Sequence, residues 1–276
     1  MLVTGASGLI GSALAAALAA ERDVVGLSRR RPREGVPWLP GDFTQFEDLR
    51  RLDRYEIDAA VHLGAVTGGC SERDGIAVNV AGTRTLLRYL LDRGCRRVVL
   101  ASSIAAVGFA DPAFRPLAVP IPDDHPCLAR DAYGLSKHLM EDLAAYFSRL
   151  QPDADILCLR LSSVAPDGQL PPARGVHPLG PWSLGGITLM ACSDAVRLLR
   201  RALELPPRPG FRLRNAAPRR AWVRVPTAEV LEGWYGAAVD LSALRQPGQW
   251  YASAFDVHAL EEELGLAIER APDPSG

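Results

Sequence analysis

Tyr133 and Lys137 are the two side chains of this sequence whose types and spacing best suit chemistry. They lie four residues apart in a segment of helical pattern, so both face the same side of the helix. A free tyrosine has a pKa of about 10, which makes it a poor proton acceptor at neutral pH. A neighbouring ammonium lowers that pKa, so the pair predicts proton exchange with a substrate hydroxyl. The alternative interpretation is a pair of surface neighbours.

Lys137 is the only lysine in a chain with 31 lysine and arginine residues. A codon bias towards arginine explains the many arginines without any function. It does not explain why one lysine remains, and arginine cannot readily replace a lysine whose compact ammonium is required. The composition therefore supports a specific role for Lys137.

A glycine-rich turn follows the first predicted strand, and residues 4–11 read Thr-Gly-Ala-Ser-Gly-Leu-Ile-Gly. Glycines at this spacing let the backbone N–H groups approach a pyrophosphate, and the following helix directs its positive end at the same place. The alternative is an ordinary tight turn between a strand and a helix. The turn predicts contacts to a dinucleotide from Gly5, Ser7, Gly8, Leu9, Ile10 and Gly11.

The second predicted strand ends in Ser28, Arg29 and Arg30, with no carboxylate for the ribose hydroxyls of NAD. Guanidinium groups can instead form bidentate contacts with a 2′-phosphate. These residues therefore favour NADP over NAD as the cofactor. The alternative is a solvated basic loop, which is a real competitor in an arginine-rich chain.

Short apolar runs alternate with helical patterns through the first 160 residues. This alternation requires crossover connections and a parallel sheet that is covered on both faces. The predicted fold class is therefore α/β, a doubly wound parallel sheet of the Rossmann type with a smaller C-terminal part. We expect residues 1–160 to form the dinucleotide-binding domain and 161–276 mostly the substrate-binding part, with 193–215 returning to the main sheet.

Composition excludes several classes of function. The net charge of −1 argues against nucleic-acid binding, which needs a basic excess on one face. The five histidines and five cysteines show no ligand spacing, so no metal site is predicted. The cysteines also lack the dense spacing of a disulfide framework, and no apolar run is long enough to cross a membrane. We therefore expect a cytoplasmic protein that contacts no membrane.

Several motifs together resemble the extended short-chain dehydrogenase/reductase family, the NAD(P)-dependent epimerases and dehydratases. The resemblance covers at least residues 1–165. The turn at 4–11 resembles the T-G-x-x-G-x-x-G motif, residues 101–103 end a strand in the family's serine pair, and Tyr133 with Lys137 matches Y-x-x-x-K. Further matches are Gly41-Asp42-Phe43, His62-Leu63-Gly64-Ala65 and Asn79.

The resemblance implies a role for each matching residue. Tyr133 would exchange the proton, Lys137 would hold the nicotinamide ribose and tune Tyr133, and Ser103 would hydrogen-bond the reacting oxygen. Contacts to the cofactor are implied for Asp42, Phe43, Leu63, Gly64, Ala65 and Asn79. A homodimer is also implied.

Two departures from the family concern the substrate side. Ala106-Val107-Gly108 lacks the family's tyrosine after the serines, and residues 161–166 lack the asparagine typical of sugar-nucleotide enzymes. The leading hypothesis is a sugar-nucleotide epimerase, dehydratase or ketoreductase. The alternatives are a reductase of a small non-nucleotide carbonyl compound and a non-catalytic NADP-binding sensor.

Overall fold

The computed structural model describes residues 1–32 and 35–269. Within these ranges the strands are β1 (Leu2–Thr4), β2 (Val25–Ser28), β3 (Trp38–Pro40), β4 (Ala59–His62), β5 (Arg97–Ser103), β6 (Asp155–Leu161), β7 (Ser163–Ala165), β8 (Leu189–Ala191) and β9 (Gly210–Ala216). The α-helices are α1 (Leu9–Ala19), α2 (Phe46–Leu49), α3 (Glu72–Asp74), α4 (Thr83–Asp92), α5 (Ala132–Leu150), α6 (Ser183–Ile187), α7 (Cys192–Glu204), α8 (Thr227–Tyr235) and α9 (His258–Leu264).

Seven of these strands form one sheet in the order β3-β2-β1-β4-β5-β6-β9, and every neighbouring pair is parallel. The strand order reverses between β1 and β4, where crossovers leave the sheet in opposite directions. This is the place where open α/β sheets open a crevice at the carboxyl ends of their strands. The predicted doubly wound parallel fold is confirmed.

Both faces of the sheet are covered, as the continuous apolar strands require. One face packs against α4 and α5 through a cluster that includes Leu87, Met140 and Phe147. The opposite face packs against α1 and α7 through a cluster that includes Leu14 and Leu198. Because the strands are buried from both sides, their ends are held in fixed positions for the site.

The helical segment after β4 has an irregular interior. Between α3 and α4 the chain forms a π-helical segment over Gly75–Gly82, with wider turns than an α-helix. A Cβ on Gly75 would lie 3.2 Å from the Ala132 carbonyl oxygen, and one on Gly82 would lie 2.6 Å from Cγ2 of Thr44. The two glycines therefore let this segment press against the start of α5 and against the loop after β3.

The chain after β6 contributes both to the sheet and to a separate core. β9 pairs in register with β6, from Asp155 opposite Gly210 to Leu161 opposite Ala216. β7 and β8 form a small parallel pair of their own, which the sequence pattern does not reveal. The remaining segments surround an apolar cluster that includes Phe109, Trp234 and Phe255. A domain boundary at residue 160 stays a prediction. None of the helices in the described ranges has both the length and the apolar character of a membrane crossing.

The glycine turn gives a test of the fold. Gly5 has a φ of 66°, and a Cβ there would lie 2.7 Å from the Gly64 backbone nitrogen. We expect Gly5→Ala to lower the free energy of unfolding by about 1–3 kcal/mol, because it combines a strained φ with a backbone clash. Gly175→Ala is the matched control, since no heavy atom lies within 4 Å of its Cβ position. Chemical denaturation of both variants measures the difference, and equal stabilities would contradict the structure.

Candidate active site

A cleft of about 440 Å³ opens at the carboxyl ends of the strands, where the strand order reverses. Of the residues predicted from the sequence, it is lined by Gly5, Ser7, Gly8, Leu9, Ile10, Gly11, Ser28, Arg29, Arg30, Asp42, Phe43, Leu63, Gly64, Ala65, Ser103, Tyr133 and Lys137. The fold thus brings the glycine turn and the Tyr133 pair into one continuous site.

The glycine turn forms one wall of the cleft. The Gly8 amide donates to the Gly5 carbonyl oxygen at 2.9 Å, which closes the turn directly before α1. Gly8 caps α1 without a side-chain hydrogen bond, and the first turn of the helix carries no acidic residue. The free amides at the positive end of the helix therefore suit an anion. A Cβ on Gly11 would overlap the Gly5 carbonyl. The close approach of α1 to this turn, which suits a pyrophosphate, therefore requires glycine at position 11.

The end of the cleft at β2 carries the basic residues. Arg29 and Arg30 are exposed and border the cleft, while the Ser28 hydroxyl is engaged with the Arg30 carbonyl oxygen at 2.7 Å. Next to β2, in the loop after β3, the Asp42 amide donates to the Asp48 carboxylate at 2.8 Å. Asp48 therefore fixes the backbone at the position where an adenine would be flanked.

Gly64 shapes the middle of the cleft. A Cβ on Gly64 would lie 2.7 Å from the Phe43 ring, so this glycine permits the ring to pack against the chain after β4. Phe43 meets His62 edge to face, with 4.7 Å between the ring centroids. His62 itself is buried between the hydroxyls of Thr4 and Thr83, at 2.6 and 2.9 Å. It is a packing residue and does not line the cleft.

Asn79 is the one predicted cofactor residue that the structure does not bring to the cleft. Its amide nitrogen donates to the Val66 carbonyl oxygen and to the Ser136 hydroxyl, at 3.0 and 2.9 Å. Its carbonyl oxygen accepts from the Val66 amide at 2.9 Å. With its side chain 1% exposed, Asn79 ties the cleft segment at Val66 to α5. Its influence on a cofactor would act through that segment.

The predicted catalytic side chains meet where β5 and α5 approach each other. The Asp131 carboxylate caps α5 by accepting from the Gly134 amide at 2.8 Å, which places Tyr133 in the first turn. Ser103 at the end of β5 acts on the pKa of the Tyr133 phenol, and its hydroxyl oxygen accepts from the Ala105 amide at 3.1 Å. The Lys137 ammonium donates to the Ala101 carbonyl oxygen at 2.7 Å and lies 5.9 Å from the centre of the Tyr133 ring.

Burial governs the charge on the basic groups beneath the cleft. Burial lowers the pKa of Lys137 to about 8, so the ammonium form still dominates at neutral pH. Burial, followed by repulsion from that ammonium, lowers the pKa of His62 to about 3. His62 is therefore neutral, and Lys137 supplies the local positive charge.

The pKa of Tyr133 differs from the sequence-based expectation. Burial raises it above the usual value, and the hydrogen bond from Ser103 opposes that rise only in part. The expected lowering of the Tyr133 pKa by Lys137 is wrong. Removal of the phenolate from water raises this pKa more than the attractive interactions lower it. Tyr133 is therefore held as a neutral phenol, with a proton available to donate.

A buried ion pair lies beneath the catalytic side chains. The Glu141 carboxylate accepts from two nitrogens of Arg160, at 2.9 and 2.8 Å, and from the Ser102 hydroxyl at 2.5 Å. Burial raises the pKa of Glu141, but attraction to His138, whose Nδ1 lies 3.9 Å away, and hydrogen bonds from Arg160 outweigh burial and bring the pKa below its usual value. The Ser102 hydroxyl is thus already committed, which leaves Ser103 as the serine that faces Tyr133.

Sequence reasoning missed several parts of the site. The cleft is also lined by Leu27, Gly41, Val66, Thr67, Val78, Ala101, Ser102, Leu161, Ser162 and Val164. The ends of the parallel strands could have indicated Ser162. The helical spacing of Tyr133, Lys137 and Glu141, each four residues apart, could have indicated Glu141. No cluster of potential metal ligands occurs among residues 1–32 and 35–269.

Residues 1–176 match the model of the NAD dependent epimerase/dehydratase family. The chain is 32% identical over 155 residues to a UDP-glucose 4-epimerase from Azospirillum brasilense, with 52% of this chain and 43% of that protein covered. The chain thus spans less than half the length of that relative.

A uronate dehydrogenase from Pseudomonas syringae pv. tomato is 27% identical over 216 residues, with 75% of this chain and 70% of that protein covered. Among solved structures, a short-chain dehydrogenase/reductase superfamily protein from Agrobacterium tumefaciens with bound NAD superposes with a TM-score of 0.72. That match covers 98% of this chain and 92% of the other at 23% identity, and it supports the fold.

The buried pair gives a test of how the site is supported. We expect Glu141→Ala to lower the free energy of unfolding by about 3–5 kcal/mol, because it leaves the Arg160 guanidinium buried without a counter-charge. Asp142→Ala on the same helix is the control, since its carboxylate is 68% exposed and we expect a change within about 0.5 kcal/mol. Urea denaturation compares the two, and a loss below about 1 kcal/mol for Glu141→Ala would contradict this role.

Proposed function

The chain belongs to the NAD dependent epimerase/dehydratase family, and from this premise we propose that it transfers a hydride between NAD(P) and a carbinol or carbonyl carbon of a sugar substrate. One observation carries the proposal. A hydroxyl pair, Tyr133 with Ser103, lies in the same cleft as a glycine cradle that suits a pyrophosphate, with the Lys137 ammonium between them.

The bound dinucleotide would supply the hydride donor or acceptor. For the chain's own part, the hydroxyls of Tyr133 and Ser103 would bind the oxygen on the reacting carbon. In the direction of carbonyl reduction, Tyr133 would donate its proton to that oxygen, since its raised pKa keeps the phenol protonated at neutral pH. In the direction of oxidation, the Tyr133 oxygen would take the proton back.

Lys137 would hold the cofactor and supply charge. An ammonium has three N–H donors, and Lys137 spends one on the Ala101 carbonyl oxygen. The other two would be available for ribose hydroxyls. Its positive charge, buried beside the Tyr133 ring, would favour the phenolate during proton transfer once solvent is displaced.

Two classes of sugar substrate are considered, nucleotide sugars and free sugar acids. The relatives that act on them match different shares of this chain. The matches to UDP-glucose 4-epimerases cover up to 65% of this chain, whereas the match to the uronate dehydrogenase covers 75% and so extends beyond the 176 residues of the family model. The longer match includes part of the chain that we expect to hold the substrate. A nucleotide sugar remains the first candidate substrate, on the basis of the family. A free sugar acid is the second candidate substrate, and the longer match to the uronate dehydrogenase favours it.

We further propose NADP as the preferred cofactor. Support comes from Arg29 and Arg30 at the edge of the cleft and from the lack of a carboxylate at the end of β2. The Agrobacterium tumefaciens protein of the same fold was solved with NAD, so the choice depends on these side chains and not on the fold.

The proposed role of Tyr133 predicts that removing its phenol oxygen lowers turnover. We expect Tyr133→Phe to lower kcat by at least about 100-fold, because the proton donor is lost, while the Kd for the cofactor stays within about threefold. Tyr146→Phe is the control, since Tyr146 lies on the same helix but is 44% exposed and away from the cleft. Absorbance of the reduced nicotinamide follows oxidation of D-glucuronate, and analysis of the sugar product follows epimerisation of UDP-glucose, which leaves no reduced cofactor. Unchanged turnover in Tyr133→Phe would remove Tyr133 from the mechanism.

The proposed preference for NADP predicts that removing Arg29 or Arg30 weakens the binding of NADPH but not of NADH. We expect Arg29→Ala and Arg30→Ala each to weaken NADPH binding by about tenfold, because each removes a charge-assisted contact to the 2′-phosphate, while NADH binding hardly changes. Arg31→Ala is the control, since Arg31 is exposed but does not border the cleft. Fluorescence titration measures the dissociation constants of NADPH and NADH for the wild-type protein and for each variant. Tighter binding of NADH than of NADPH to the wild-type protein would contradict the preference.

A further inference from the structure

Trp182 lies directly beside the catalytic side chains, although it comes from the C-terminal part of the chain. Its ring centroid is 6.1 Å from that of Tyr133 and 5.8 Å from that of Phe109, which it meets edge to face. Phe109 is 4% exposed and belongs to the C-terminal core, so it forms a firm backing for the indole. The indole is 38% exposed and thus also borders solvent.

The opposite edge of the indole reaches the dinucleotide-binding part. A Cβ on Gly68 would lie 2.9 Å from Cζ2 and 3.0 Å from Cη2 of Trp182. Gly68 has no positive φ that would by itself require glycine. Its lack of a side chain is instead explained by the close approach of the indole. Trp182 therefore bridges the loop after β4 and the C-terminal core, next to Tyr133.

The backbone holds this tryptophan in an uncommon conformation. Trp182 has a φ of 63° and a ψ of 9°, and it is the one non-glycine residue with positive φ in the described part of the chain. Hydrogen bonds on both sides maintain it: the Ser183 hydroxyl accepts from the Gly180 amide at 2.9 Å, and the Trp182 carbonyl oxygen accepts from the Gly186 amide at 3.0 Å. Backbone strain of this kind is concentrated at functional positions.

The residues that line the cleft come from the chain up to β7. The last of them is Val164, so Trp182 stands behind Tyr133, and neither it nor the later described residues border the cleft itself. A substrate that carries a nucleoside diphosphate would have to continue from Tyr133 into that part. The space between Tyr133 and the C-terminal core is instead filled by Trp182 and Phe109.

We propose that Trp182 determines substrate size: its indole confines the site beside Tyr133 to a free sugar or sugar acid and excludes a substrate with a nucleoside diphosphate arm. This inference rests on the proposed function, and it chooses between the two substrate classes left open there. A flat, rigid side chain with firm backing is well suited to exclusion, because moving it would cost the contacts with Phe109 and Gly68.

The test measures binding, so that it does not depend on turnover. D-glucuronate and UDP-glucuronate differ only in the nucleotide arm, and calorimetry with the NADP-loaded Tyr133→Phe protein gives both dissociation constants without a reaction. We expect UDP-glucuronate to bind at least 100-fold more weakly than D-glucuronate. In Tyr133→Phe/Trp182→Ala we expect this ratio to fall at least tenfold, because the space beside residue 133 opens.

Two further variants keep the test decisive. Trp250→Ala in the same background is the control, since Trp250 is 57% exposed and, unlike Trp182, has no ring contact with Tyr133 or Phe109, and we expect it to leave the ratio unchanged. Trp182→Phe retains an aromatic ring and should give an intermediate ratio, which guards against a Trp182→Ala variant that fails to fold.

The proposal fails if UDP-glucuronate binds as tightly as D-glucuronate, if neither binds, or if the Trp182 variants leave the ratio unchanged. Failure of the proposed function is a separate result. In that case the wild-type protein would neither reduce NADP with free sugars or UDP-sugars nor epimerise them, whatever the binding ratio.

Discussion

One buried ammonium fixes the geometry on which the site depends. Lys137 is 4% exposed, and its hydrogen bond to the Ala101 carbonyl oxygen joins α5 to the end of β5. Because Tyr133 lies one turn earlier on the same helix and Ser103 two residues later on the same strand, this bond also sets where the phenol and the serine hydroxyl meet. The cost of burying the charge is visible in the lowered pKa of Lys137 and in the neutral state of His62 nearby.

The charges on this face of α5 are arranged to make that burial tolerable. Glu141 lies one turn after Lys137 on the helix, and its negative charge favours the ammonium form of Lys137. The Glu141 carboxylate is itself held by Arg160 from β6. Helix, strand β5 through Ser102, and strand β6 are thus joined by one hydrogen-bonded network. A network in which each buried charge has a partner specifies a single relative position of its elements. The rigidity of the catalytic side chains follows from this network more than from their own contacts.

Local patterns in the sequence predict the cofactor side of the molecule well. The glycine turn, the strand that ends in arginines and the spacing of Tyr133 and Lys137 are each contained within a few residues, and all of them border one cleft. The features that sequence reasoning missed depend on distant contacts. The π-helical segment at Gly75–Gly82 arises where the chain presses on α5, and the short strands β3, β7 and β8 gain their partners only in the folded chain. The pKa of Tyr133 is set by burial, which no spacing reveals.

The same contrast separates the two halves of the proposed chemistry. Binding a dinucleotide calls for backbone amides and a helix end, which a contiguous motif can encode. Selecting a substrate calls for a wall opposite the reacting carbon, and here that wall joins residues 114 positions apart in the sequence, Gly68 and Trp182. Neither residue stands out alone, since the chain has 25 glycines and four of its five tryptophans lie in its C-terminal part. Their role follows only from their close approach beside Tyr133 in the folded chain. A chain can therefore keep the cofactor motifs of its family intact while its substrate changes.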